Sequence, residues 1–189
     1  MTSPYEKCPV FENENYLIRF IDDSDAPDLL LVYSDEKAVP FFNSDNCGGD
    51  DFHMTRLEYV QGAIKAWHEE YERKGFVRWS IIDKNIRHAI GTIELFNRQA
   101  DDYFNNCCLL RLDLRSDYER EEIILEILSL ITQPTFTMFD CQMIATKVPP
   151  FASQRKMAVK QLGFMASLEK LIGGHDGKAY ADYYVLPQE

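Results

Sequence analysis

The sequence predicts one mixed α+β domain, and three stretches carry that prediction. Cys107 to Ile131 alternates Leu110, Leu112 and Leu114 with charged residues, then spaces Ile123, Ile124, Ile127, Leu128 and Ile131 along one helical face. Gln142 to Val148 (QMIATKV) is strand-like and follows directly, which places a strand–helix–strand crossover in mid-chain. Phe76 to Ile82 and Ala89 to Phe96 read as two further strands, joined by a hairpin over Asp83 to His88.

Length and composition bound the rest. With 189 residues, 46% of them hydrophobic, the chain can bury a core as a single domain over residues 1–189, and no repeat or flexible linker divides it. No apolar run approaches membrane-spanning length, and the first fifteen residues lack the basic and apolar regions of a signal peptide. A cytoplasmic protein with no membrane partner is the expectation. Cys8, Cys47, Cys107, Cys108 and Cys141 form no CxxC pair, which points to free thiols. His53, His68, His88 and His175 share no ligand spacing, so no metal site is expected. The net charge of −11 argues against nucleic acid as a partner. It is compatible with a cationic amine substrate, although solubility alone is the simpler account.

In chain order, Tyr16 to Phe20 is a strand, Asp22 to Asp25 a turn, and Pro27 opens a helix. Asn43 to Asp51 (NSDNCGGDD) is a loop, readable as mobile surface or as a substrate-side element. Leu57 to Arg73 is an amphipathic helix with Gly75 at its C′ position. Gly91, inside a strand, marks a bulge or a close approach of another backbone. Ser116 and Glu119 fit a capping box for a central helix over 118–131, with Pro134 either kinking it or starting a separate turn. Ala152 to Gln161 forms a helix closed by Gly163. Met165 to Ile172 and Ala179 to Leu186 read as the last strands.

The words RWSIID, IGTIELF, LRLDLRSDY and KQLGF, in this order, resemble the Gcn5-related N-acetyltransferases (GNAT), in particular the branch acting on the N-termini of ribosomal proteins. The resemblance spans nearly the whole chain. It implies a mixed, mostly antiparallel sheet with helices on both faces, in which the strands at 108–115 and 142–148 form a parallel pair splayed at one end. It also implies acetyl-CoA as co-substrate and an amine acceptor, either a protein N-terminus or a small amine. The amides near Leu112 and Leu114 would polarise the acetyl carbonyl.

The family's glycine-rich phosphate turn falls on Glu119 to Ile124, where Arg120 and Glu122 stand in place of glycine. Arg120, Glu122 and Ile123 are therefore the cofactor-binding candidates at that turn. A later polar pair of the family falls on Ala152 and Arg155, with Arg155 or Lys156 a candidate phosphate ligand. The tyrosine that often serves the family as general acid is replaced by Val159. Glu119, Glu121 and Glu122 either stabilise the helix end themselves or leave room for a pyrophosphate. Glu94 and Asp113 are the candidate general bases. Their plainer readings are a solvent-facing strand residue and a partner for Arg111 or Arg115. The alternative function is a catalytically silent domain of this fold that binds a partner or another small ligand.

Overall fold

The computed structural model describes residues 3–188; Met1, Thr2 and Glu189, at the extremes of the predicted domain, lie outside the described residues. The strands are β1 (Phe11–Glu12), β2 (Tyr16–Phe20), β3 (Val77–Asp83), β4 (His88–Arg98), β5 (Cys107–Leu114), β6 (Met143–Lys147), β7 (Met165–Ala166), β8 (Leu171–Ile172), β9 (Ala179–Tyr180) and β10 (Tyr183–Pro187). The helices are α1 (Ala26–Tyr33), α2 (Leu57–Glu72), α3 (Glu121–Phe139) and α4 (Ser153–Gln161). Eight strands form one sheet in the order β1-β2-β3-β4-β5-β6-β10-β7, while β8 and β9 make a separate ribbon.

Within the large sheet only β5 and β6 are parallel, as the crossover through α3 requires. Their pairing runs from Cys107–Met143 to Leu110–Thr146 and stops there. Beyond that point β5 continues to Leu114 against β4 alone. The expected splay is thus a fork that opens at residues 111 and 147.

Period-two alternation divides the sheet into two faces. Val77, Trp79, Ile81, Leu110, Leu112 and Leu114 pack with Ile124, Ile127 and Leu128 of α3 and Ala158 and Val159 of α4 in the main core. On the other face, Leu29, Val32 and Tyr33 of α1 join Val60, Ile64 and Trp67 of α2 in a second cluster. Both faces of β5 are therefore covered. Its charged positions do not face water, contrary to the half-buried strand that alternation alone suggests.

Gly91 serves both of its expected purposes. The β3–β4 register shifts between Ile81 and Ile82, opposite it. A Cβ at Gly91 would also lie 2.1 Å from the carbonyl oxygen of Asp113, so β4 and β5 can meet only without a side chain there.

Several boundaries differ from expectation. At the end of α2 the left-handed residue is Lys74 (φ 61°), and Gly75 is the next residue, its N–H donating to the Glu70 carbonyl at 2.8 Å. Pro134 neither ends α3 nor opens a separate turn. The helix runs through it to Phe139 and closes at Asp140 (φ 49°). At 19 residues α3 is long and apolar enough to cross a membrane by length and composition, which the sequence reading did not anticipate. In the fold its apolar stripe is buried against the sheet. Met165 to Ile172 divides between β7 and β8 in different sheets, and Asp182 (φ 67°) breaks the final strand into β9 and β10.

Candidate active site

The fork exposes backbone. The Arg115 amide donates to the Ile90 carbonyl across β4 at 3.0 Å, so alternation turns the amides of Leu114 and Leu112 toward the opposite edge. There β6 has already departed. Among the described residues these two amides meet no backbone acceptor. Two donors on one strand edge, beside a gap, form a place for an extended ligand or a polarised carbonyl.

The turn into α3 is built differently from its prediction. Ser116–Tyr118 is a single 3-10 turn, α3 begins at Glu121, and its N-cap, Arg120, makes no side-chain cap bond. Ser116 donates its amide to Asp35 at 2.9 Å, and Asp117 is held by Arg115 at 2.7 and 2.9 Å. The predicted capping box does not form. The helix end is instead closed from α4, where Gln154 Oε1 accepts the Glu121 amide at 3.0 Å. The first bond back to the cap joins the Ile124 amide to the Arg120 carbonyl at 3.0 Å. The Glu122 and Ile123 amides remain without an acceptor among the described residues, an arrangement that favours an anion.

The side chains of this turn separate into two groups. Arg120 and Glu122 lie largely in solvent, 3.5 Å apart. Glu119 turns inward and forms a buried ion pair with Arg155 of α4, whose Nε donates to Glu119 Oε2 at 3.2 Å and whose Nη1 donates to the Phe41 carbonyl at 3.1 Å. Arg155 is thus committed to the protein rather than poised for a phosphate. Ala152 and Val159 are buried and apolar, so they offer no polar contact or acid.

On the α1/α2 face, cross-strand register lines up Arg78, Glu94 and Arg111, with Thr92 and Asp113 in the next row. Arg78 Nη2 is hydrogen-bonded to Glu94, and Arg111 Nη1 donates to the other Glu94 oxygen at 3.1 Å. Arg78 Nη1 lies 3.0 Å from the Tyr33 and Thr92 hydroxyls and 3.1 Å from Asp113 Oδ2. The Tyr33 hydroxyl donates to the same Asp113 oxygen at 2.9 Å. Burial alone would raise the Glu94 pKa, but the Arg78 and Arg111 guanidiniums outweigh it and hold the carboxyl below its ordinary value. The Nε atoms of Arg78 and Arg111 have no hydrogen-bond partner among the described residues. The Arg78 guanidinium instead stacks 4.2 Å from the Trp67 ring, and that of Arg111 lies 5.7 Å from Phe96.

These charges form the wall of a cleft of about 540 Å³, completed by Trp67, Phe76, Phe96, Glu70 and Cys47. The 43–51 loop contributes Asn46, Cys47 and Asp50 to its lining. Asn43 and Asp45 of that loop are buried, while residues 48–51 are exposed.

A family model described as an acetyltransferase (GNAT) domain matches residues 15–165. The chain belongs to the GNAT acetyltransferase family. An uncharacterised N-acetyltransferase of Bacillus subtilis, YoaA, is 25% identical over 85 residues, a match that spans 45% of this chain and 44% of that protein. The solved ribosomal-protein-S5-alanine acetyltransferase of Vibrio fischeri superposes with a TM-score of 0.68 at 19% identity, over 94% of each chain. RimL, a ribosomal L7/L12 α-N-protein acetyltransferase solved with coenzyme A, does so at 0.68 and 15% identity, over 95% of this chain and 98% of that one. Both structures share the GNAT fold found here.

Of the sequence candidates, Leu112 and Leu114 stand at the fork, and Ile123 presents a free amide at the end of α3. Glu94 and Asp113 do come together, but around Arg78. Glu94 is 1% exposed rather than solvent-facing, and Asp113 pairs with Arg78, not with Arg111 or Arg115. A carboxylate stabilised by two guanidiniums is a weak base. Sequence reasoning missed Arg78, Asp45 and Lys147. A signal for Arg78 was present, since Arg78, Glu94 and Arg111 occupy alternate-face positions on three consecutive strands with complementary charge.

Proposed function

We propose that this GNAT domain is an acetyl-CoA-dependent N-acetyltransferase acting on an amine. The observation that carries this reading is the fork, whose Leu112 and Leu114 amides meet no backbone acceptor among the described residues once the pairing with β6 has stopped. Acetyl-CoA would supply an activated thioester. Its acyl arm would lie along the β5 edge, where the two amides would bind and polarise the carbonyl as charge develops on oxygen. The Glu122 and Ile123 amides would receive a phosphate at the positive end of α3. The residues fit this ligand through backbone more than through side chains. Glu122 faces solvent, and Arg155 is neutralised by Glu119. The acceptor would reach the fork from the α1/α2 face, through the cleft with aromatic walls and acidic Glu70 and Asp50 in its lining, a setting suited to a cationic amine. Five unpaired thiols suit a reducing, cytoplasmic setting.

Thermal melting with acetyl-CoA tests the first half of this reading. Ligand at a hundred times its Kd adds about 2.7 kcal/mol, a rise of about 5–11 °C for a chain of this size. Release of CoA thiol with an alanine-initiated peptide, spermidine or phenethylamine tests the second half. The Glu119–Arg155 pair favours the silent-domain alternative, because it removes a guanidinium from phosphate reach. Stabilisation by acetyl-CoA without thiol release would support that alternative.

A further inference from the structure

One primary ammonium already stands at the mouth of the fork. Lys147 ends β6, one residue past its last pairing with β5. Its Nζ donates to both carboxylate oxygens of Asp45, at 2.5 and 2.7 Å, and lies 5.7 Å from the centre of the Tyr180 ring. Tyr183, directly across from Lys147 on β10, donates its hydroxyl to Asp45 Oδ2 at 3.1 Å. Arg111, the first β5 residue past the pairing, donates to the Asp45 carbonyl at 3.1 Å. Asp45 is therefore held from both diverging strands, over the gap between them. A carboxylate, a hydroxyl and an aromatic face make a complete ammonium site, and this chain fills it with its own lysine.

We propose that Lys147 Nζ is itself an acetyl acceptor, with Asp45 taking its proton. The proposal rests on the acetyl-transfer reading of the fork and adds an acceptor to it. Lys147 is 21% exposed on its side chain, and it is flexible enough to swing from Asp45 toward the strand edge. Asp45 would first accept a proton from the Lys147 ammonium, and the neutral amine would then swing to the strand edge and form the C–N bond to the thioester carbonyl carbon. The C–S bond would then break, the CoA thiolate would leave and take the second nitrogen proton, and the proton on Asp45 would pass to water. The products are acetyl-lysine, CoA thiol and one released proton. Acetylation removes the lysine charge and so dissolves the contact that ties the 43–51 loop to β6.

The full chain incubated at neutral pH with isotopically labelled acetyl-CoA, followed by peptide mass spectrometry, decides the matter. Exposed Lys65 and Lys178 report the uncatalysed background. Lys147 should acquire label on the order of a hundredfold faster than either, at a rate independent of protein concentration. Asp45→Asn should bring Lys147 to background while calorimetry still shows acetyl-CoA binding. Lys147→Arg, which keeps the ion pair and the fold, should bind acetyl-CoA and carry no label at that position. Labelling of Lys147 no faster than Lys65 in a protein that binds acetyl-CoA overturns the proposal and leaves the fork reading intact. Labelling that accelerates with protein concentration also overturns it, since the transfer would then be between molecules. Absence of acetyl-CoA binding overturns both.

Discussion

Replacing Arg78 with methionine should cost about 3–5 kcal/mol of folding stability, the range for removing one partner of a buried ion pair. Arg78 touches Glu94, Asp113, Tyr33 and Thr92 together. Without it Glu94 keeps only Arg111, and Asp113 keeps only the Tyr33 hydroxyl, both inside the protein. Against a total stability of about 5–15 kcal/mol, such a loss approaches unfolding at ambient temperature. Urea denaturation at neutral pH measures it through the midpoint at unchanged slope. A change below about 1 kcal/mol would mean that water already reaches these carboxylates. The pH dependence supplies an independent sign. Glu94 has a depressed folded pKa, so its contribution is present above its ordinary value of 4.5 and is lost as pH falls through the depressed value. The unmodified protein should therefore lose more stability on acidification than the Arg78→Met variant does.

The second large effect is expected at the turn into α3. Glu119→Gln should strengthen acetyl-CoA binding on the order of tenfold while lowering stability. A carboxylate and a phosphate charge at 4 Å repel by about 1 kcal/mol in water and about 4 kcal/mol at an effective dielectric of 20, and tenfold in affinity is about 1.4 kcal/mol. The substitution removes that repulsion and also frees the Arg155 guanidinium for bidentate phosphate contact. Glu122→Gly, the more obvious repair from sequence, should matter less, because the Glu122 side chain is 68% exposed beside Arg120. Calorimetry at low and high salt separates the two variants, and Glu119→Gln with Arg155→Met should lose the gain. Affinity unaltered by Glu119→Gln would show that the phosphate passes elsewhere.

These expectations also mark what the sequence could and could not convey. The parallel pair around α3, the hairpin over 83–88 and the role of Gly91 were legible, because periodicity and backbone sterics are local. Ion-pair partners are not local. Asp113 was read against Arg111 and Arg115, its neighbours along one strand. Its partner is Arg78, 35 residues away, brought close by register across β4. Glu119 looked like a cap by spacing, yet α4 supplied both its counter-charge and the acceptor that closes α3. Lys147 and Asp45, 102 residues apart, meet only because β6 leaves β5 beneath the 43–51 loop. The amide directions of the backbone candidates Leu112, Leu114 and Ile123 follow from strand alternation and helix ends.

The central claim is that the unpaired amides of the fork bind the acyl donor. Chemical-shift mapping with 15N-leucine-labelled protein addresses it directly. Addition of acetyl-CoA should move the Leu112 and Leu114 amide resonances among the most strongly of all leucines, while that of Leu31, exposed on α1, stays in place. Saturable binding with Leu112 and Leu114 unmoved, or no binding at all, would contradict the account.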